Sequence, residues 1–227
     1  MTLKALLFDV FGTCVDWRTS VAREVAALGL PGEAVADAWR ARYQPQLETV
    51  RSGRRAWVVL DVLHREALDD VLDELGLELG ESERDELTLA WHRLDPWPDT
   101  VDGLTRLKER HIIAPCSNGH IAQSVNLAKH AGLPWDAILG AGIARAYKPD
   151  PRVYRASVAA LGLEPGEAMM VATHNGDLRA AAECGLRTAF VARPREHGPG
   201  QETDLHAAEG VDVEAGDFLA LADALAV

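Results

Sequence analysis

Cysteine is scarce in this chain. Cys14, Cys116 and Cys184 are its only three, odd in number and without pattern. That excludes a disulfide framework and a thiol-rich metal centre, and it fits a reducing, cytoplasmic setting in which all three are small buried fillers. Long apolar runs are missing as well. None approaches the roughly 18–20 residues a membrane span needs, so no membrane partner is expected. Met1-Thr2-Leu3-Lys4 runs straight into the first apolar segment, which leaves no room for a signal peptide. Positive charge is in deficit: 23 Lys and Arg against 35 Asp and Glu give a net charge of −12. Such a balance favours solubility and speaks against nucleic acid as a partner, without forbidding an anionic small molecule, since local charge decides binding. Internal repeats and low-complexity tracts are absent.

What is present has two textures. From about residue 17 to 94 the pattern is helical. Trp57, Leu60, Leu63, Ala67, Val71, Leu72 and Leu75 recur at three- and four-residue steps, and Val35, Trp39, Tyr43 and Leu47 make a second stripe. Pro31-Gly32, Ser52-Gly53 and the segment from Gly76 to Gly80 punctuate these helices. From about residue 100, short apolar strands alternate with helices: Ile112 to Pro115, Ala137 to Leu139, Met169 to Ala172 and Thr188 to Val191. Alternation of that kind predicts an α/β fold, a doubly wound parallel sheet with helices on both faces. Ala5-Leu6-Leu7-Phe8 reads as the first strand of that sheet. The helical block is then an insertion after strand one, with Pro96-Trp97-Pro98 as the return hinge. The expected division is a core of 1–14 and 96–227 and a helical cap of 15–95. Pro194 to Thr203, rich in Gly and Pro, reads as a surface loop.

Polar residues gather where the strands end, which is where ligands bind in open α/β sheets. Asp9 follows the first strand, Gly12 permits a tight turn, and the Thr13 hydroxyl can steady a carboxylate. Cys116-Ser117-Asn118-Gly119-His120 follows the second, at a helix start whose free N–H groups favour an anion. Ser117 taken alone is equally a cap, and Asn118-Gly119 a turn. Tyr147-Lys148-Pro149-Asp150-Pro151 offers Lys148 as a point charge, although a lone loop lysine is ordinarily solvated. Ala172-Thr173-His174-Asn175-Gly176-Asp177 ends in an Asp that could be the N-cap of a helix from Leu178.

Together these loops resemble the four motifs of the haloacid dehalogenase superfamily, in its order and spacing: Asp9, Ser117, Lys148 and Asp177. Most members are phosphatases with a second Asp two residues after the first, serving as general acid. Here that position is Phe11, and an apolar ring cannot protonate a leaving alkoxide. A halide needs no proton. The sequence is more narrowly similar to the L-2-haloacid dehalogenases, through Phe11, Ser117-Asn118-Gly119, Tyr147-Lys148-Pro149-Asp150, Arg152-Val153-Tyr154 and Ala38-Trp39-Arg40. The resemblance implies a Rossmann-like core with a cap and Asp9 as nucleophile. Thr13, Ser117, Lys148 and Asp177 complete the catalytic set. Substrate and halide would meet Arg40, Asn118, Tyr154, Phe11, Val10, His174 and Asn175. It implies 2-haloacid and water as the reactants, no cofactor, no metal and a possible homodimer. One loop departs from the family. Where Ser-Asn-Ala-Trp-Asp is common, this chain has Thr173-His174-Asn175-Gly176-Asp177. His174 therefore rivals Asp177 as the group that activates water, and is alternatively a structural histidine. A magnesium-dependent phosphatase and a catalytically silent binding protein of the same fold are the other readings. Phe11 disfavours the first, and intact Asp9, Lys148 and Asp177 disfavour the second.

Overall fold

The computed structural model describes residues 2–226. Strand β1, Ala5–Phe8, is buried at all four positions. An apolar run without polar alternation is what a strand covered on both faces requires. It pairs in parallel with β4, Ile112–Pro115, on one side and with β5, Ala168–Ala172, on the other. β6, Arg187–Val191, and β7, Val213–Ala215, extend the sheet to the order β4-β1-β5-β6-β7. Phe8 stands level with Pro115 and Val171. The residues after all three strands therefore emerge at one edge, at the point where the chain turns from one side of β1 to the other. Pro115 breaks no ladder there, because β4 is an edge strand.

Between β1 and β4 lies the helical block. A two-stranded antiparallel ribbon, β2 (Val15–Asp16) with β3 (Asp95–Pro96), closes its base. Asp16 caps α1, Trp17–Ala27, by accepting from the Thr19 N–H at 3.0 Å. Helix α2, Gly32–Arg51, buries Val35, Trp39, Tyr43 and Leu47, the stripe expected of it. Helix α3, Leu60–Leu75, starts three residues later than its stripe predicts. Trp57 precedes it and lies 6.4 Å from the Tyr147 ring. Helix α4, Glu81–Thr88, and a 3₁₀ turn, Leu89–His92, complete the block. The sheet is flanked by α5 (Thr100–Lys108), α6 (Ile121–Ala131), α7 (Ala141–Ala144), α8 (Pro151–Ala160), α9 (Asn175–Glu183) and α10 (Phe218–Ala224).

Side chains alternate across β1. Leu6 and Phe8 join one apolar cluster, and Ala5 and Leu7 the other. The first cluster runs without interruption into the helical block. Trp91 links the two parts: its ring lies 6.0 Å from Phe11, 6.2 Å from Trp17, 5.6 Å from Trp39 and 4.3 Å from His64. Three expectations need correction. Ala137 to Leu139 is not a strand: only Asp136 bonds to β4, and Leu139 is buried by packing alone. The fifth strand is instead β7, whose Glu214 interrupts the apolar signal. Nor is 194–203 merely a surface loop, because Glu196 within it is 1% exposed. Among the described residues no helix is long and apolar enough to cross a membrane.

Candidate active site

The turn after β1 delivers Asp9. Its N–H donates to Val171 O at 2.9 Å, and the chain then reverses through Gly12, at φ +89°. That left-handed conformation suits glycine. The turn brings the Thr13 hydroxyl back onto Asp9 Oδ2 at 2.8 Å, while the Thr13 oxygen accepts from Thr173 N–H at 3.1 Å. Lys148 Nζ donates to Asp9 Oδ1 at 2.9 Å and also to Asp177 Oδ2. Lys148 is held by its own backbone: its N–H donates to Asn118 Oδ1 at 2.7 Å, and its carbonyl accepts from Arg51 at 2.8 Å. The other oxygen of Asp177 accepts from the Tyr154 hydroxyl at 2.5 Å. His174, the N-cap of α9, places Nδ1 3.1 Å from Asp9 Oδ2 and Nε2 2.9 Å from Glu196 Oε2. Trp17 Nε1 donates to Glu196 Oε1 at 3.0 Å.

Three anions and three cations thus share one water-poor site, and their charges set one another's protonation. Burial alone would raise Asp9, but Lys148 and His174 overcome it and hold the carboxyl far below the usual range. Burial likewise opposes the Lys148 charge, and Asp177 and Asp9 overcome it, so the ammonium stays protonated. Burial and the neighbouring Asp9 charge raise Asp177 despite Lys148. His174 is pushed up to about 10: burial works against its charge, and the Glu196 and Asp9 carboxylates outweigh it. Glu196 is lowered in turn, its burial offset by His174 and Arg40.

These groups border a cavity of about 380 Å³ whose walls include Asp9, Phe11, Arg40, Tyr43, Asn118, Lys148, Tyr154, His174, Gly176 and Asp177. Arg40 reaches it from α2, with its guanidinium carbon 4.4 Å from the Tyr43 ring centre and 5.2 Å from that of Trp17. Its Nη1 is buried without a hydrogen-bond partner. A Cβ on Gly176 would meet nothing within 4 Å, so the wall is open at that point. A larger cleft of about 760 Å³ lies elsewhere, on the outer side of α2 around Pro45 and Arg54.

Eight of the expected site residues therefore line one cavity: Asp9, Phe11, Arg40, Asn118, Lys148, Tyr154, His174 and Asp177. Thr13 stands behind Asp9. Three others do not line it either. The Ser117 hydroxyl is buried and accepts from Gly119 N–H at 3.2 Å, a turn-making bond. Val10 packs in the core. Asn175 is spent on its neighbours: Nδ2 donates to Asp204 Oδ1 and His206 O, and Oδ1 accepts from Ala208 N–H. Asp177 is not the N-cap of α9, which starts two residues earlier at Asn175. Tyr43 and Glu196 were not foreseen in these roles. Tyr43 carried only a core signal, and Glu196 lies 187 residues from Asp9 in sequence, in a loop without periodicity. Among the described residues the one trio of His, Cys, Asp or Glu arranged to hold a metal ion is Asp61, His92 and His120, and none of them borders the cavity.

Comparison with known proteins points one way. A family model described as haloacid dehalogenase-like hydrolase matches residues 3–185. The chain is 31% identical over 195 residues to (S)-2-haloacid dehalogenase 4A of Burkholderia cepacia, covering 85% of this chain and 84% of that protein. It is 34% identical over 201 residues to the (S)-2-haloacid dehalogenase of Xanthobacter autotrophicus, covering 84% and 76%. Among solved structures, a defluorinating L-2-haloacid dehalogenase superposes with a TM-score of 0.97 at 50% identity, over 99% of this chain and 96% of that one. The Xanthobacter autotrophicus L-2-haloacid dehalogenase, solved with chloropropionic acid covalently bound, superposes with a TM-score of 0.85 at 26% identity, over 99% of both chains.

Proposed function

The chain belongs to the haloacid dehalogenase-like hydrolases, and we propose that it is a hydrolytic dehalogenase of short L-2-haloalkanoic acids and haloacetate, working through an ester of Asp9. One observation carries the reading. Asp9 is ionised and borders the cavity, and Phe11, which borders it too, offers no proton to a leaving oxygen. Attack of Asp9 on the carbon bearing halogen expels halide with inversion and leaves an ester. Arg40, with an unpartnered buried Nη1, receives the halide beside Asn118. Water, deprotonated by Asp177, then adds to the ester carbonyl. Lys148 gives a proton to the departing alcohol oxygen and recovers one from Asp177, which it touches. Asp9 is restored as a carboxylate and the remaining proton passes to solvent. The products are a D-2-hydroxy acid, halide and a proton.

Repulsion between Asp9 and an anionic substrate is the main obstacle, and Lys148 and Arg40 offset it without a metal. We place residues 15–95 as a cap that closes this site, since Arg40 and Tyr43 come from it. A cytoplasmic location accords with three free cysteines, and a homodimer is part of the same reading. The test is a halide-release panel of L- and D-2-chloropropionate, 2-bromopropionate and chloroacetate, run with and without EDTA, beside p-nitrophenyl phosphate with magnesium. Release from the L-acids that chelation leaves intact is expected. Magnesium-dependent phosphate release with no halide release would replace this reading by the phosphatase one.

A further inference from the structure

The two oxygens of Asp9 are not equivalent. Oδ2 accepts from the Thr13 hydroxyl at 2.8 Å and from His174 Nδ1 at 3.1 Å. The Thr13 oxygen is itself an acceptor for Thr173 N–H, so its proton is fixed on Asp9. Both in-plane lone pairs of Oδ2 are committed. Oδ1 has Lys148 Nζ as its partner among the described residues and keeps one lone pair free. Oδ1 is thus the attacking oxygen, and Oδ2 becomes the carbonyl oxygen of the ester. When water adds to that carbonyl, the electron pair of the C=O bond moves onto Oδ2. Two donors already stand around it at the distances an oxyanion requires, about 2.7–3.1 Å.

We propose that His174 is a catalytic residue of the second step, one that holds the oxyanion on Asp9 Oδ2 rather than deprotonating water, and that Glu196 is the positioning residue that keeps it a double donor. The proposal rests on the reading of Asp9 as nucleophile. Each ring nitrogen of His174 faces a carboxylate oxygen, Asp9 on one side and Glu196 on the other. A carboxylate only accepts, so both nitrogens carry hydrogen. No lone pair is left to take a proton from water, and that task falls to Asp177. Glu196 is fixed in turn by Trp17 Nε1 and lies 3.8 Å from Arg40 Nη2. The charged and titratable groups around His174 are Asp9 after β1, Lys148 and Asp177 beyond it, Asp37, Arg40 and Tyr43 from α2, and Glu196 and His197 from the 194–198 loop. Of these, Glu196 and Asp9 touch the ring, and Asp9 loses its charge once the ester forms. Glu196 then holds the imidazolium alone. The step balances: water forms a bond to Cγ, its proton goes to Asp177, the π pair rests on Oδ2, and collapse breaks the Cγ–Oδ1 bond and reforms the carbonyl.

The test uses Glu196→Gln and His174→Gln with L-2-chloropropionate. Glu196→Gln keeps the shape and an acceptor for Trp17 but removes the charge. Its first-turnover halide burst is expected within about threefold of wild type, while steady-state kcat falls about a hundredfold, as for loss of one oxyanion donor. Intact-protein mass spectrometry after acid quench should show the Asp9 adduct accumulating. The basic limb of kcat against pH, held above the ordinary histidine range in the wild type by the Glu196 carboxylate, should move toward that range, activity falling as pH rises. His174→Gln should accumulate the same adduct with that limb gone. A kcat that rises with pH through 6–7 in the wild type, with that limb lost in His174→Gln, would show His174 to be a base and overturn the proposal. So would an equal loss of burst and steady state with no adduct. Failure of the Asp9 reading is distinguishable, since wild type would then give no adduct and Asp9→Asn would still release halide. If Glu196→Gln does not fold by circular dichroism, the adduct measurement on His174→Gln decides.

Discussion

Arg40 and Arg42 stand two positions apart on α2 and face different surroundings. Arg40 is stacked on Tyr43 and Trp17 beside the cavity, with one guanidinium nitrogen buried and unpartnered. Arg42 reaches Glu74 and Asp70 of α3 at the outer cleft. An unpartnered buried donor is costly unless something arrives to use it, and a halide gaining charge as its bond breaks is such a partner. Lysine would keep the charge but lose the planar fork and the stacking. Arg40→Lys is therefore expected to lower kcat by at least tenfold, because the contact strengthens in the transition state. Arg42→Lys should leave kcat within about twofold, and the change to its exposed pairs should cost no more than about 1 kcal/mol of stability. Steady-state halide release for the two variants side by side decides it. Equal losses, or none in either, would remove Arg40 from the halide site.

At the scale of elements, the turn after β1 and the 194–198 loop are one device. Gly12 sits at φ +89°, and a Cβ added there would lie 2.1 Å from Glu196 Oε1. Gly29 has a similar φ of +76° with nothing within 4 Å of its added Cβ. Both Ala variants should bear the backbone strain, about 1–3 kcal/mol. Gly12→Ala should in addition displace Glu196 and lose most of its halide release, while Gly29→Ala keeps it. Urea midpoints and kcat on both variants separate strain from displacement, and unchanged activity in Gly12→Ala would detach this loop from the chemistry. The same loop shows why part of the site was illegible in sequence. Asp9 follows a strand and Asp177 opens a helix, so apolar runs pointed at them, while Lys148 lies in the turn that leads into the proline-started α8. Glu196 follows no element boundary and is held by three partners remote in sequence: Trp17, His174 and Arg40. Ala137 to Leu139 misled for the converse reason. Its apolar run is real, but burial without a ladder satisfies it as well as a strand would.

For the whole molecule, two buried histidines with opposite surroundings bound the pH range of stability. His64 stacks 4.3 Å from Trp91 in the cluster that joins helical block and sheet. Burial lowers it to about 3, from an ordinary value of about 6.5. Between those values the unfolded chain binds a proton that the folded chain refuses, so stability falls as pH drops below about 6.5. His111 and His120, lowered by burial as well, act in the same direction. The ion-paired aspartates, such as Asp69 and Asp95, add their loss only below about pH 4. His174 has the contrary sign. Raised to about 10, its contribution is complete below about 6.5 and disappears as pH rises through 10. Unfolding free energy should therefore be greatest near pH 6.5 and decline on both sides. His64→Phe keeps the ring stack on Trp91 and removes the titration. Its acid-side slope between pH 6.5 and 4.5 should be shallower by about 1.4 kcal/mol per pH unit, the value of one proton. His174→Gln should flatten the alkaline side instead. Urea unfolding at half-unit pH steps measures both slopes, and a His64→Phe curve parallel to wild type from 6.5 to 4.5 would show that His64 is reached by water and protons in the folded state.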